Sequence, residues 1–528
     1  MDIYIVSYLA TLFTLCLWQV FQKGIFSQVV TSIFYLCLFI YAGICLQSVL
    51  IGNTSVSYLV RDILVLGGTS YFFFLVKDNK IIALASLFFF GSSMPLIYEF
   101  LKEKKHSTSV ESNLDTGQDL TKIDDLTELS QVDPDNEILI EIEPGFQISD
   151  IKSIQAQYQL KLTRAFTPKE ADATDLDDYY SIDIPPSYEA DRPLIAERLR
   201  AHRAVEWLEY NERLQYDPLV ESQTDLIAPP ISKYAVNDPL NEKKWEYAPL
   251  QMNQYYNYMV SQKLKPRKKS KLFILDTGVD GTHEDLKEQY VSFDDKGSYD
   301  EVGHGTHCAG IAAATSNNKV GVSSAVPNED FVEVSSIKVL SGFGFGTQKM
   351  IIDGMIKAVD AGADVISMSL GGKSSDTREK AYTEAVQYAL RKNVVVIIAA
   401  GNAGKNAAQY SPANSEGVIT VAAVDQNLKR TVFSNTLQHI KFGVSAPGKD
   451  IFSTYPNDEY KVYSGTSMAA PYVAGLVSVL KSIKPEMNVA DAFRILHATG
   501  MQTSEPYKTG HMIQPYAAVK KLMEELSN

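Results

Sequence analysis

The sequence predicts an α/β protein whose largest part is a doubly wound parallel sheet, preceded by a small α+β module and an apolar N-terminal region. Three observations predict this order. From Val236 onward, almost wholly apolar segments alternate with helical ones, as buried parallel strands and their covering helices do. Residues 137–216 follow a β-α-β-β-α-β pattern. Residues 1–101 are almost entirely apolar, although only 45% of the 528 residues are hydrophobic.

The N-terminal region has the hydrophobicity of a membrane domain. Each of its apolar runs is near the roughly 20 residues that a helix needs to cross a bilayer. The runs cover residues 3–21, 25–50, 56–76 and 81–101. A cleavable signal peptide fits the first run poorly, because no basic segment precedes it and further runs follow. A buried soluble bundle, the other alternative, would need polar helix faces that these runs lack. We expect residues 1–105 to form about four transmembrane helices in a lipid bilayer.

Positive charge in the short loops predicts the orientation of this region. Lys23 lies in the first loop and Lys77 and Lys80 lie in the third, whereas the second loop has no Lys or Arg. Since Lys and Arg accumulate in cytoplasmic loops, both termini are expected outside the cytoplasm. Three lysines within 102–105, together with Arg61, count against this orientation. The sequence therefore predicts a multi-pass membrane protein whose long C-terminal part lies on the extracytoplasmic side.

The charge balance argues against nucleic acid as a partner. The chain has 49 Lys and Arg against 63 Asp and Glu, a formal net charge of -14. Nucleic-acid binding needs clustered basic residues that neutralise phosphates. The one basic cluster, KPRKKSK at 265–271, is expected to be a solvated loop before a strand. Cys308 is the only cysteine outside the apolar runs, so no disulfide framework is available there.

Residues 106–136 are predicted to be an acidic disordered linker. The segment is rich in Ser, Thr, Asp and Glu, and Lys122 is its only basic residue. Such a composition buries too little apolar surface to offset the entropy lost on ordering. We therefore expect it to act as a tether.

Residues 137–216, the small module, are predicted to form a split βαβ sandwich. Alternating apolar residues indicate strands and helical spacing indicates two helices, the first capped by Ser149. In order, the segments are EILIEIE, the helix SDIKSIQAQYQ, LKLTRAF, YYSIDI, the helix DRPLIAERLRAH and the final strand AVEWLEYNERLQ. Residues 217–235 then form a second linker.

Residues 236–528, the large domain, are predicted to contain the doubly wound sheet. Its strands are apolar on both faces, which is typical of parallel strands covered by helices. The predicted strands are KLFILD, FVEVSSIKVL, ADVISMSL, NVVVIIAAG and GVITVAAV, and the helices between them include QKMIIDGMIKAVDAG and TREKAYTEAVQYALRKN. In such sheets the functional groups gather beyond the carboxyl ends of the strands.

Three polar clusters have this placement. Asp276 ends the strand KLFILD, His304 enters a helix within GHGTHCAG, and Ser467 lies in GTSMAAP before the helix PYVAGLVSVLKSI. A serine hydroxyl needs a neighbouring base, and the base needs a group that fixes its tautomer. These residues supply nucleophile, base and carboxylate, and Asn402 in IIAAGNAG supplies a donor for an oxyanion. The alternative is that Thr466 or Ser467 only caps the helix.

These motifs resemble those of the subtilisin-like serine peptidases, the subtilases of peptidase family S8. DTGVD, HGTHCAG, SLGG, AAGN and GTSMAAP stand in the family's order over about residues 236–520. The resemblance implies a serine endopeptidase that cleaves proteins or peptides through an acyl-enzyme, with Asp276, His304 and Ser467 as the triad and Asn402 as oxyanion donor. This chemistry requires no cofactor.

Two further segments match the family's substrate-binding strands. One would pair with an extended substrate, and both would border the pocket for the residue before the scissile bond. They comprise Ser369, Leu370 and Gly371, and Ala399, Ala400 and Gly401. Their small, uncharged residues imply an open pocket with an apolar or broad preference.

A structural calcium ion is a further implication of the resemblance. The family's tight calcium site matches Asp285 and the loop SNNKVGV, with Asn318 and the carbonyls of Val320 and Val322 as donors. The loop is about one residue longer than usual, and an ordinary Asn-rich turn is the alternative. Another metal site, formed by the His and Cys residues of HGTHC, is not favoured because no further Cys or His cluster completes it.

The small module resembles the family's N-terminal propeptide, which acts as a folding helper and tethered inhibitor. Its final strand would lead into the active-site cleft, with processing between about Tyr216 and Ala235. The expectation is a membrane-anchored zymogen that processes itself. A catalytically silent scaffold, or a membrane sensor or transporter with an accessory peptidase, are the alternatives.

Overall fold

The computed structural model describes residues 132–215, 220–221, 233–342, 344–374 and 379–528. The predicted transmembrane region, residues 1–105, lies outside these ranges. The same holds for residues 106–131 of the first linker and for most of the predicted processing segment 217–235.

The small module is a four-stranded antiparallel sheet covered on one face by two helices. Its strands are β1 (Ile138–Ile142), β2 (Lys161–Arg164), β3 (Tyr179–Asp183) and β4 (Val205–Tyr210), in the spatial order β2-β3-β1-β4. The helices are α1 (Lys152–Tyr158) and α2 (Arg192–Arg200). Ile138 and Ile140 of the central strand pack with Ile154 of α1 and Leu199 of α2 in one apolar core. The module therefore has a core of its own.

The ends of the small module differ from the sequence expectation. Val132, inside the stretch expected to be linker, is buried and forms a bridge with Glu212. The final strand is divided: β4 ends at Tyr210, and β5 (Arg213–Gln215) leaves the sheet. At this break the Asn211 side-chain amide donates to the Asn136 carbonyl at 2.9 Å.

The cap expected for the first helix is also wrong. Ser149 lies within a 3-10 turn, Ile148–Ile151, and α1 begins only after that turn. The Asp150 carboxylate accepts a bond from the backbone N–H of Gln147 at 2.8 Å, so the chain is capped two residues earlier than expected.

The remaining elements belong mainly to the large domain. In chain order the strands are β6 (Val220–Glu221), β7 (Ser270–Asp276), β8 (Val332–Lys338), β9 (Phe345–Thr347), β10 (Val365–Met368), β11 (Gly372–Lys373), β12 (Val395–Ala399), β13 (Tyr410–Ser411), β14 (Ile419–Val424), β15 (Gly443–Pro447), β16 (Ile451–Tyr455) and β17 (Glu459–Ser464). The helices are α3 (Met252–Ser261), α4 (His304–Ala313), α5 (Gln348–Asp360), α6 (Lys380–Arg391), α7 (Thr466–Ile483), α8 (Val489–Thr499), α9 (Pro506–Thr509) and α10 (Pro515–Ser527).

A six-stranded parallel sheet forms the centre of the large domain, in the order β15-β14-β12-β10-β7-β8. Alternate residues of β7 enter two cores. Leu272 and Ile274 lie with residues of α4 and α7, and Phe273 and Leu275 lie with residues of α5 and α6. Helices thus cover both faces, and the predicted doubly wound α/β fold is confirmed. The strand order reverses between β7 and β10, where open α/β sheets bind their ligands.

Helix α7 runs through the middle of the larger core. Within the described ranges it is the one helix with the length and apolar composition of a membrane span, and all of its 18 residues are buried inside the protein. Its apolar surface is therefore accounted for by packing in the large domain.

Candidate active site

Asp276 is the last residue of β7 and lies at the point where the strand order reverses. It has no exposed surface. One of its oxygens, Oδ1, accepts the backbone N–H of Thr277 at 2.7 Å and lies 2.7 Å from Nδ1 of His304. Because an ionised carboxylate can only accept, Nδ1 is assigned as the protonated nitrogen of the ring. A buried carboxylate next to an imidazole can hold one tautomer and stabilise the charged ring.

His304 is the first residue of α4, and glycines set its position. Gly303 before it adopts φ +90°, a conformation that L side chains rarely reach. Gly305 after it packs against the end of β7, where a Cβ would overlap the Gly278 carbonyl oxygen. The short glycine-rich turn therefore lets α4 begin close enough for the Nδ1 contact with Asp276. The opposite ring nitrogen, Nε2, remains the one that can act as a base.

Ser467 is the second residue of α7 and does not cap it. The N-cap position belongs to Gly465, which has no side chain, so neither Thr466 nor Ser467 is the cap residue. Ser467 is 5% exposed, and its hydroxyl donates to the Ser369 carbonyl at 3.3 Å. Its carbonyl accepts from the Cys308 thiol at 3.3 Å, and Cys308 lies one helical turn after His304 on α4. The starts of α4 and α7 therefore meet at Ser467.

Asn402 follows β12 and is bound to the start of α7. Its Oδ1 accepts the backbone N–H and the hydroxyl of Thr466, at 2.8 and 2.9 Å. Its Nδ2 and the backbone nitrogen of Ser467 each lie 3.6 Å from the point at which a Cβ on Gly465 would stand. Two N–H donors thus face one small space, which Gly465 leaves open. This arrangement suits an oxyanion.

The two predicted substrate-binding segments border Ser467 from different strands. Ser369 follows β10, and its hydroxyl donates to the Ser467 carbonyl at 2.9 Å. Gly401 follows β12, and its N–H donates to the Thr466 hydroxyl at 3.1 Å. The neighbouring Leu370 and Ala400 are buried. What these segments offer to a substrate is therefore chiefly their backbone.

The other polar residues of the HGTHC motif are engaged within the protein. The His307 ring bonds through Nε2 to the Lys461 carbonyl at 3.0 Å, and burial lowers its pKa to about 3. Burial raises the pKa of the Cys308 thiol well above its ordinary value. Cys308 lies close to Asp276 and His304. The Sγ atom of Cys308, a carboxylate oxygen of Asp276 and a ring nitrogen of His304 are within 4.8 Å of one another. The motif therefore supplies His304 to the site, whereas His307 and Cys308 are buried within the protein next to it.

The loop matched to a calcium site holds buried oxygen ligands. Asp285 is fully buried; its Oδ1 accepts from the Asn318 amide and its Oδ2 from the Val322 N–H, both at 2.8 Å. The Val320 N–H donates to the Asn318 side-chain oxygen at 2.8 Å. Asp238 adds a second buried carboxylate, which accepts N–H groups of this loop at 2.9 and 3.3 Å. Burial, with a further contribution from Asp238, raises the pKa of Asp285 to about 8.

This donor set fits a hard cation, because two buried carboxylates lie against the same short loop and accept N–H groups from it. Asp285 and the Asn318 oxygen, both predicted donors, would hold it together with Asp238. The carbonyls of Val320 and Val322 remain predicted donors; the contacts that these two residues make with Asn318 and Asp285 run through their N–H groups. Sequence reasoning missed Asp238, which lies in an Asn-Asp-Pro turn before the first strand of the large domain. It also missed Asp300, a buried carboxylate four residues before His304.

Known proteins that are similar to this chain belong to one family of peptidases. A model of the subtilase family of peptidases matches residues 267–518. Thermitase of Thermoactinomyces vulgaris is 43% identical over 218 residues, which are 40% of this chain and 75% of that protein. Subtilisin DY of Bacillus licheniformis is 39% identical over 246 residues, covering 46% of this chain and 86% of that protein.

A solved structure shows the same fold at lower identity. Fervidolysin from Fervidobacterium pennivorans, described as a keratinolytic enzyme related to subtilisin, superposes with a TM-score of 0.59 and 23% identity. The match covers 74% of this chain and 61% of that one. Fold, site geometry and relatives lead to one conclusion: this chain belongs to the subtilase family and is a serine endopeptidase.

Proposed function

We propose that this protein is a membrane-anchored subtilase zymogen in which Asp276, His304 and Ser467 form the catalytic triad. The observation that carries the proposal is the 2.7 Å contact between the buried Asp276 carboxylate and Nδ1 of His304, beside the start of the helix that bears Ser467. Asn402 and the Ser467 N–H form the oxyanion hole.

The proposed reaction is proton-coupled acyl transfer. The Ser467 hydroxyl exchanges its long bond with the Ser369 carbonyl for one to Nε2 of His304 when substrate binds. Its oxygen attacks the scissile carbonyl carbon, the proton passes to Nε2, and Asp276 stabilises the imidazolium. The leaving amine takes that proton, and water then hydrolyses the acyl-enzyme by the same steps in reverse. Protein or peptide substrates follow from this chemistry.

We infer that the small module is a tethered inhibitor. Its last strand, β5, pairs antiparallel with β9 of the large domain, Leu214 opposite Gly346. The Leu214 side chain also packs on Gly372, next to the predicted substrate strand 369–371, and leaves no room for a Cβ there. An extended segment added to the edge of the cleft is how a peptide substrate would bind. On the far side, β6 pairs with residues 463–464, just before Gly465.

Polar contacts between the small module and the helices α5 and α6 support the same proposal. Lys380 at the start of α6 contacts Glu141 at 2.6 Å and Glu206 at 2.8 Å. The buried Glu209 accepts from the Gln348 amide of α5 at 3.0 Å. The module is thus held on the large domain by contacts that a cut in the linker would not break. A processed peptidase would leave its membrane anchor, or stay with it only while it retains the module.

Comparing the full-length chain with its Ser467→Ala variant tests the zymogen proposal. The wild type should react with a fluorophosphonate probe and cut itself between residues 216 and 235, as mass spectrometry of the new N-terminus would reveal. Ser467→Ala should do neither. Ser478→Ala, which removes a buried serine hydroxyl further along α7, should behave as the wild type. Labelling or self-cleavage in Ser467→Ala would disprove the triad assignment.

A second experiment tests the membrane part of the proposal. Ser467→Ala, which retains its linker, should resist extraction from membranes by alkaline carbonate. Protease added to intact cells should degrade residues 106–528 if they face the outside. Protection of these residues in intact cells, with digestion after lysis, would reverse the orientation. Release of the variant by carbonate would exclude the transmembrane anchor.

A further inference from the structure

A buried carboxylate outside the triad, Asp300, lies between two parts of the proposed site. It is 3% exposed. It accepts bonds from the Thr277 hydroxyl at 2.9 Å, from the backbone N–H groups of Val302 and Gly303 at 3.0 and 2.8 Å, and from the N–H and hydroxyl of Thr306 at 2.9 and 2.7 Å. A carboxylate has about four lone-pair sites, so these donors occupy its accepting capacity. The group is therefore held in one orientation.

Thr277 connects Asp300 to the pair of Asp276 and His304. Its hydroxyl donates to Asp300 and accepts the N–H of Gly305 at 3.0 Å. Its own N–H donates to Oδ1 of Asp276 at 2.7 Å, the oxygen that also faces Nδ1 of His304. Thr277 thus binds Asp276 through its backbone N–H and the first turn of α4 through its hydroxyl.

The first turn of α4 depends on these two residues. Its N-cap, Gly303, has no side chain, and the first N–H groups of a helix have no partner within it. The N–H of Gly305 is bound by Thr277, and that of Thr306 by Asp300. The direction in which α4 leaves the turn, and hence the place of His304 at its start, is set from outside the helix.

We propose that Asp300 is a positioning residue for catalysis, acting through Thr277 and the first turn of α4 to hold the imidazole of His304 against Asp276. The inference rests on the proposed function of these residues. Asp300 also places negative charge beside the positive end of the helix, where His304 becomes an imidazolium during the reaction. Its loss should therefore change both the geometry and the proton affinity of the base.

Kinetics on a chromogenic tetrapeptide test the positional effect. They are measured on the full-length chain after self-processing is complete, and rates are normalised to the active sites titrated with the fluorophosphonate probe. Thr277→Val keeps the shape of the side chain but removes the hydroxyl, so kcat should fall about 10- to 100-fold while KM stays within about twofold. Thr277→Ser restores the hydroxyl and should return kcat to within about threefold of wild type. Thr282→Val is the matched control, because it removes a comparable hydroxyl–carboxylate bond, to Asp280, in the same loop but without a contact to the pair.

The pH profile tests the electrostatic effect and remains informative if Thr277→Val fails to fold. In Asp300→Asn the acid limb of kcat/KM should move down by about 0.5 to 1 pH unit, because the imidazolium loses a nearby negative charge. A residue that only stabilised the fold would lower Tm and leave this limb in place.

The outcomes separate this inference from the function on which it rests. Suppose that Ser467→Ala abolishes the activity of the wild type. If Thr277→Val then has wild-type kinetics, or if the acid limb does not move in Asp300→Asn, the proposed role of Asp300 is wrong while the proposed function stands. Activity retained in Ser467→Ala would remove the proposed function itself.

Discussion

The oxygen and the nitrogen of the Asn402 side-chain amide have different roles in the proposed site. Its oxygen accepts two bonds from Thr466, which fixes the group and turns the NH2 toward the space shared with the Ser467 N–H. Asn402→Ala removes a donor that is needed chiefly when the oxyanion forms, so kcat should fall about 100- to 1000-fold with KM nearly unchanged. Steady-state kinetics measure this. Asn414→Ala, which removes an amide bound to Glu379, is the control. A raised KM with normal kcat would contradict the assignment.

A substitution at Gly465 tests the same space, because an added side chain would fill it. The Gly465 φ of 165° is extended backbone that alanine also adopts, so Gly465→Ala should fold. The new methyl group would stand 3.6 Å from both N–H donors and occupy the space proposed for the oxyanion. We expect kcat to fall at least about tenfold with Tm changed by only a few degrees. Kinetics and thermal unfolding of the same preparation check this, and full activity would show that the oxyanion binds elsewhere.

Among the elements, buried strands were the easiest to predict from sequence. The runs that became β7, β10, β12 and β14 are mostly apolar on both faces because helices cover both sides of the sheet. β8 also carries Glu333, Ser335 and Ser336 among its apolar residues. The sixth strand, β15, was missed because Gly443, Ser445 and Pro447 interrupt its apolar pattern. It lies at the edge of the sheet, where proline is tolerated.

The positions of Asp276 and His304 within their elements were predictable from the sequence. Asp276 closes a strand and His304 opens a helix, so their sequence neighbours reveal their placement. Asp300 and Asp238 lie in loops, and their roles depend on donors far along the chain: Asn317 is 79 residues from Asp238. The capping alternative for Ser467 failed for a related reason, since Asn402, 64 residues before Thr466, binds the start of α7 instead.

Asp285, which accepts bonds from the loop between α4 and β8, should make the free energy of unfolding depend on calcium and on pH together. Burial raises the pKa of Asp285 to about 8 from 3.8, so without a cation its contribution to the free energy of unfolding is present below about pH 4 and is lost as pH rises toward 8. A bound calcium ion would hold the carboxylate in its ionised form and reverse this loss. The Tm difference between calcium and EDTA should therefore grow from pH 6 to pH 8. Asp285→Asn should abolish it. An equal Tm with calcium and EDTA at every pH would argue against a cation site.

On the scale of the whole molecule, the contact between the small module and the large domain concentrates carboxylates. Lys380 is shared between Glu141 and Glu206, while Glu209 is fully buried next to Gln348. Burial raises the pKa of Glu209 to about 8. If the module is released as proposed, Glu209 returns to water and to its ordinary pKa of 4.5. Dissociation should therefore release a proton between about pH 5 and pH 8.

This linkage predicts that the cut module is released more readily as pH rises. Between about pH 5 and 8 the dissociation constant should increase by up to about tenfold per pH unit, and above the bound-state pKa it should level off. The fraction of cut module that copurifies with the processed large domain at pH 6, 7 and 8 measures this. Glu209→Gln cannot ionise, so its complex should persist at pH 8. Glu170→Gln, which removes an exposed ion pair with Lys392 at the same interface, should keep the wild-type slope. A wild-type complex that is equally stable from pH 6 to pH 8 would mean that Glu209 does not couple protonation to release.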